Sequence, residues 1–114
     1  MKYCTLMAAA IAASSALAAL PFKNGDRIAF LGDSITQLGA DNPRGWVNIV
    51  ERAIRAESPE VAFIHAGVSG NKSSQMVVRY EHDVCRRSPN WMFFSCGVND
   101  APNGLTGKSK NRGL

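Results

Sequence analysis

Three short apolar runs constrain this chain more than any other feature: Arg27-Ile28-Ala29-Phe30-Leu31, Val61-Ala62-Phe63-Ile64-His65 and Trp91-Met92-Phe93-Phe94-Ser95. Their starts lie 34 and 30 residues apart, which is the length of a strand, helix and parallel strand unit. Between the first two runs, Trp46, Ile49, Val50, Ala53 and Ile54 recur at helical spacing until Pro59. Between the second and third, Met76, Tyr80 and Val84 do the same before Pro89, and Arg86 and Arg87 are expected in the last turn of that helix, where cations suit the dipole. Near-continuous apolar strands alternating with amphipathic helices imply a parallel sheet covered on both faces, an open α/β fold rather than a sandwich or a bundle.

The chain of 114 residues, 46% hydrophobic and 19% charged, supports one globular domain at most and excludes disorder and collagen. Its formal charge of +4 raises the question of a nucleic acid or an anionic membrane as partner. The distribution argues against both. Lys2 lies at one end and Lys108, Lys110 and Arg112 at the other, so residues 19 to 107 carry nine positive and nine negative charges.

The first 18 residues are expected to be a secretory signal peptide and not part of the fold. Met1-Lys2 supplies the positive start, Leu6 to Ala13 the apolar run, and Ala16-Leu17-Ala18 the small-residue cleavage pattern. Ser14-Ser15 interrupts the run, which is too short for a stable membrane anchor. The mature chain would be secreted or periplasmic, a compartment that permits a disulfide between Cys85 and Cys96. A late-helix and a strand-end position favour two buried thiols instead, and the sequence alone leaves that pairing open.

Each strand runs into a polar loop. The first continues as Gly32-Asp33-Ser34-Ile35-Thr36, the second as Ala66-Gly67-Val68-Ser69-Gly70-Asn71 and the third as Cys96-Gly97-Val98-Asn99-Asp100. In an open parallel sheet all three emerge at the carboxyl edge, where such folds hold ligands. A hydroxyl, a bare backbone turn and a carboxamide can therefore meet there. Ser34 suits a nucleophile, with the N–H groups of Ser34 and Gly70 and the Asn99 side-chain amide as donors to an oxyanion. Gly70 lets substrate approach the backbone closely, and Asn99 is a neutral donor to developing charge.

These blocks resemble those of the SGNH hydrolases, also called GDSL esterases and lipases: Gly32-Asp33-Ser34, Gly70 within Ala-Gly-Val-Ser-Gly, and Gly97-Val98-Asn99-Asp100. Three blocks in order, each after an expected strand, are fairly specific, and Arg79, Asp83 and Pro89 also look like the family's run into its third strand. The resemblance covers about residues 24 to 104, so residues 19–104 are taken as the N-terminal part of such a domain. It implies a flavodoxin-like three-layer α/β/α sandwich with a parallel sheet, truncated after the third strand. It also implies catalytic roles for Ser34, Gly70 and Asn99, supporting roles for Gly32, Asp33, Gly97 and Asp100, and hydrolysis of small-molecule or carbohydrate esters without metal or organic cofactor.

The family's histidine, in an Asp-x-x-His block, does not occur in this sequence. His65 and His82, the only histidines, fall in the second strand and second helix and are expected to be structural or surface residues. Residues 105–114 lack apolar periodicity and read as a disordered tail, the mark of a truncated or frame-shifted coding sequence or of a naturally short protein. The third strand would be an exposed edge, making the isolated chain marginal or insoluble. The resemblance thus implies an exported carboxylic ester hydrolase, with carbohydrate O-acetyl and acyl esters as candidate substrates, left incomplete by the missing base; the alternative is a non-catalytic exported module or remnant with a carbohydrate-binding groove. Other motifs weigh less. Neither Gly32 to Gly39 nor Gly107-Lys108-Ser109 has the spacing of a phosphate loop, Asp33 and Asp100 lack His or Cys companions for a metal, and Asn71-Lys72-Ser73 suits a helix cap better than a glycosylation site.

Overall fold

The computed structural model describes residues 19–101, so the expected signal peptide and the whole of the expected tail lie outside the described residues. The elements run β1 (Arg27–Gly32), α1 (Ser34–Asp41), α2 (Trp46–Glu57), β2 (Ala62–Gly67), α3 (Ser73–Asp83), a 3-10 turn (Cys85–Arg87) and β3 (Trp91–Phe94). The sheet is parallel with order β2-β1-β3. The chain therefore leaves β1 toward one edge and returns past it to the other, the topological switch that opens a crevice at the carboxyl ends of the strands.

Alternation along β1 divides the interior into two layers. Ala29 and Leu31 point to one face and bury against Ile64, Ala66, Met76 and Val84, beneath α3. Ile28 and Phe30 point to the other and bury against Val47, Ile54 and Val61, beneath α2. Phe30 is the hinge of that second layer: its ring stacks on Phe93 at 5.0 Å and meets Trp46 edge-on at 5.6 Å. Helices on both sides of a parallel sheet give the three-layer α/β/α arrangement of a flavodoxin-like fold.

Three local expectations are corrected. Residues 34 to 41 form a helix rather than a loop. Its periodicity is silent because Ile35 and Leu38 are 53% and 63% exposed, while the buried positions are Thr36 and Gly39. Hydrogen bonds hold it instead, from Trp46 Nε1 to the Ile35 carbonyl at 3.0 Å and from Asn48 Nδ2 to the Ala40 carbonyl at 2.6 Å. Arg86 and Arg87 do not lie in α3, which ends at Asp83; they belong to the 3-10 turn, closed by Ser88 in the left-handed region at φ 51° ahead of Pro89. Cys85 and Cys96 are free thiols, but only Cys85 is partly buried and Cys96 is exposed, because it follows the end of an edge strand.

β3 has a partner on one side only. Met92 and Phe94 share the α3 face with Leu31, as their register with Ala29 and Leu31 requires. Together with Met76, Val77 and Tyr80 they line an open apolar groove of about 210 Å³. The contrast between the two phenylalanines is measurable by urea denaturation. Phe30→Ala is expected to cost about 3–5 kcal/mol, most or all of the margin of a small domain. Phe94→Ala, at a position 54% exposed, is expected to cost less than about 1 kcal/mol.

Candidate active site

The site residues occupy the carboxyl edge of the sheet, on either side of the switch point. β1 ends at Gly32, and Asp33 caps α1, its Oδ1 accepting the Ile35 N–H at 2.9 Å. Ser34 is thus the first residue of a helix, where backbone N–H groups have no intrahelical partner and the dipole favours negative charge. Its side chain is partly exposed at the mouth of the crevice.

The second loop is tied to the first helix. Gln37 Oε1 accepts from both the backbone N–H and the hydroxyl of Ser69, at 2.8 and 2.9 Å. Val68 N–H extends the ladder to the Gly32 carbonyl at 3.0 Å. The approach is close: a Cβ on Gly67 would lie 2.4 Å from the Gln37 backbone nitrogen, so only glycine fits there. Gly70 adopts φ +78°, is exposed, and a Cβ there would meet nothing within 4 Å, so the backbone of this loop is open to close approach.

The third loop is tied to the second. Asn99 Nδ2 donates to the Asn71 carbonyl at 3.0 Å. That bond uses one of the two amide protons and orients the other. Asp100 accepts the Ser73 hydroxyl at 2.7 Å and the Ser73 N–H at 3.0 Å, so this carboxylate sits at the N-terminus of α3. Sequence reasoning expected Asn71 or Ser73 to cap that helix. Neither side chain does: Asn71 Oδ1 receives Arg79 Nε, the Ser73 hydroxyl is spent on Asp100, and Gln75 Oε1 takes the Lys72 N–H at 2.9 Å.

The loops carrying Ser34, Gly70 and Asn99 are therefore brought together by groups that no motif singled out for this purpose: the side chains of Gln37, Ser73 and Arg79, and both the carbonyl and the side chain of Asn71. The sequence signal for Gln37, Asn71 and Ser73 is only that they are polar groups in or just beyond the glycine-bearing blocks, and for Arg79 it is the resemblance of Arg79, Asp83 and Pro89 to the family's run into its third strand. The two histidines are elsewhere engaged. His65 pairs with Glu51 of α2, and exposed His82 pairs with Asp83 at 2.8 Å. Among the described residues no group of three or more His, Cys, Asp or Glu side chains could hold a metal ion.

Asp100 gives this edge a pH dependence. The Ser73 hydroxyl, then the Ser73 N–H, hold its carboxyl below the usual carboxylate range. A depressed folded-state pKa means that the tether is complete above the ordinary aspartate value of about 4 and is lost as pH falls through the lowered one. Titration followed by NMR is expected to show the Ser73 and Asn99 resonances constant from neutral pH down to about 4 and moving together below it, and Asp100→Asn is expected to shift both already at pH 7.

A model of the GDSL-like Lipase/Acylhydrolase family matches residues 30–112. An acetylxylan esterase of Geobacillus stearothermophilus is 32% identical over 89 residues, a match covering 68% of this chain and 41% of that protein. Esterase TesA of Pseudomonas aeruginosa is 28% identical over 76 residues, covering 66% of this chain and 38% of its own. This chain thus spans about two fifths of the length of the curated relatives it matches. Among solved structures, an acetyl xylan esterase from G. stearothermophilus superposes with a TM-score of 0.62 at 30% identity, covering 71% of this chain and 43% of that one. Structures of catalytic mutants of that esterase have been solved with a serine, an aspartate or a histidine replaced by alanine. The fold, the three glycine-bearing loops and the family match agree, and this chain belongs to the GDSL-like lipase/acylhydrolase family.

Proposed function

We propose that this chain carries the nucleophile and the oxyanion donors of a serine carboxylic ester hydrolase. Ser34 Oγ attacks the acyl carbon of an ester, the alcohol leaves with a proton, and water then hydrolyses the acyl-serine. The N–H groups of Ser34 and Gly70 and the free amide proton of Asn99 donate to the oxygen that becomes negative, each donor of this kind contributing about 10²- to 10³-fold in rate. Gly32, Asp33, Gly97 and Asp100 support the loops that present them. The observation that carries this reading is the pair of tethers, Gln37 to Ser69 and Asn99 to Asn71, which join the three loops around the exposed, left-handed Gly70.

Acetyl esters of carbohydrates are the proposed substrates, since the relatives matched include acetylxylan esterases. The proposed site of action is outside the cytoplasm, on the strength of the leader-like segment Met1 to Ala18 and of a relative named as a Bacillus subtilis lipoprotein. The general base is proposed to come from outside these 114 residues, in the same polypeptide or in another, because neither histidine stands beside Ser34: His65 faces Glu51 of α2 from within β2, and His82 lies at the opposite end of α3 from Ser73, the residue of that helix at the carboxyl edge. Lack of a base typically costs about 10⁴- to 10⁶-fold.

The placement of both histidines away from Ser34 also favours a second reading, a non-catalytic module that keeps the crevice for binding sugar. Hydrolysis of 4-nitrophenyl acetate and of acetylated xylo-oligosaccharide separates the two. The hydrolase reading expects slow turnover that Ser34→Ala removes entirely; equal rates for the two proteins, with saturable binding of the oligosaccharide, establish the module.

A further inference from the structure

We propose that Arg79 is the positioning residue that sets the oxyanion donors against the nucleophile, an inference that rests on the roles proposed for Ser34, Gly70 and Asn99. Arg79 lies in the middle of α3, the helix that follows the Gly70 loop, with its side chain only 16% exposed. Its guanidinium makes three hydrogen bonds at once. Nη2 donates to the Gly32 carbonyl at 2.9 Å, Nε to Asn71 Oδ1 at 2.6 Å and Nη1 to Asp83 Oδ2 at 3.0 Å.

The partners are what make the arrangement informative. Gly32 is the last residue of β1, two positions before Ser34. Asn71 follows Gly70 directly, and its carbonyl is the acceptor that orients the Asn99 amide. One planar group therefore touches the segments that carry the nucleophile and one donor, and reaches the other donor through a single further hydrogen bond. A guanidinium presents its donors in a rigid fork, so the bonds to Gly32 and Asn71 fix the spacing between those two loops. A lysine could replace the charge but not the fork. Asp83 takes the remaining edge of the guanidinium on the side of α3 away from the three loops, and hydrogen bonds first from His82 and then from Arg79 keep its carboxyl below the usual range.

An ordinary role for Arg79 would be the i,i+4 ion pair with Asp83 on the surface of α3. The two roles respond differently to substitution. Arg79→Lys can keep the ion pair while losing the fork, whereas Asp83→Asn weakens the pair and leaves the bonds to Gly32 and Asn71 in place. Asn71→Ala removes the acceptor of Nε while retaining the carbonyl that Asn99 uses.

The test is a comparison of ¹H–¹⁵N spectra of the full 114-residue chain and these three variants, combined with Ser34-dependent hydrolysis of 4-nitrophenyl acetate. Arg79→Lys and Asn71→Ala are expected to move the Ser34 and Gly70 amides and the Asn99 side-chain amide together. Val47 and Ile54, in the opposite layer, should stay fixed and report an intact core. Asp83→Asn is expected to leave the three site signals close to wild type. In kinetics, Arg79→Lys is expected to lower kcat by roughly ten- to a hundredfold with little change in KM, part of the loss seen when an oxyanion donor is removed outright. Site signals unmoved in Arg79→Lys, or moved equally by Asp83→Asn, overturn the proposal. If Arg79→Lys does not fold, Asn71→Ala decides in the same way. Site signals that move as expected in a chain without Ser34-dependent hydrolysis uphold the positioning and overturn the hydrolase reading instead.

Discussion

The complete burial of β1 is the constraint on which the rest of the molecule depends. Ile28, Ala29 and Phe30 have no exposed surface, and both edges of the strand are paired in register, to β2 along its whole length and to β3 from Ile28 to Leu31. A strand in that position can carry no polar side chain at its inward positions without a large desolvation cost, so its polar content is displaced to its end. The turn there is Gly32-Asp33-Ser34, and the nucleophile candidate stands where the buried layer stops. The same strand divides the two apolar layers, so the packing of α2 and of α3 is decided by the alternation of four of its side chains.

The site is built on a different principle from the core. Hydrogen bonds join the Gly70 loop to the Asn99 loop, from Asn99 to Asn71 and from Ser73 to Asp100, each contributing about 0.5–1.5 kcal/mol. Such bonds carry direction, which dispersion does not. The crevice is thereby assembled from loops that a rigid sheet holds at one edge. Placing Ser34 at the start of a helix adds a favourable dipole at the point where negative charge would develop. Catalysis of ester hydrolysis needs that combination, with donors prepared before the charge appears.

The α3 side of the sheet shows the same logic at its margin. The crossover from β2 to β3 passes over that face, and the right-handed rule for parallel crossovers would place a helix leading to any strand beyond β3 on it again. The groove lined by Met76, Tyr80, Met92 and Phe94 occupies that position beside α3. Its apolar lining follows from register, since Met92 and Phe94 are the β3 partners of Ala29 and Leu31 and share their face.

Much of this was legible from residue order alone. The three apolar runs, their spacing and the polar loops after them determined a parallel α/β sheet with Ser34, Gly70 and Asn99 at one edge, because strand periodicity and crossover length are local properties of the chain. The strand boundaries shifted by one or two residues, as at β2, where the Asp26 carbonyl takes the Ala62 N–H and starts the ladder after Val61. α1 was not legible, since it buries a threonine and a glycine instead of an apolar stripe and relies on Trp46 and Asn48 of the next helix. The links Arg79 to Gly32, Asn99 to Asn71 and Asp100 to Ser73 span 47, 28 and 27 residues. A polar side chain in a sequence does not say which distant acceptor it will meet, because that choice depends on how the helices settle on the sheet; the residue types of the site were therefore fixed by sequence, and their convergence was decided only by the tertiary structure.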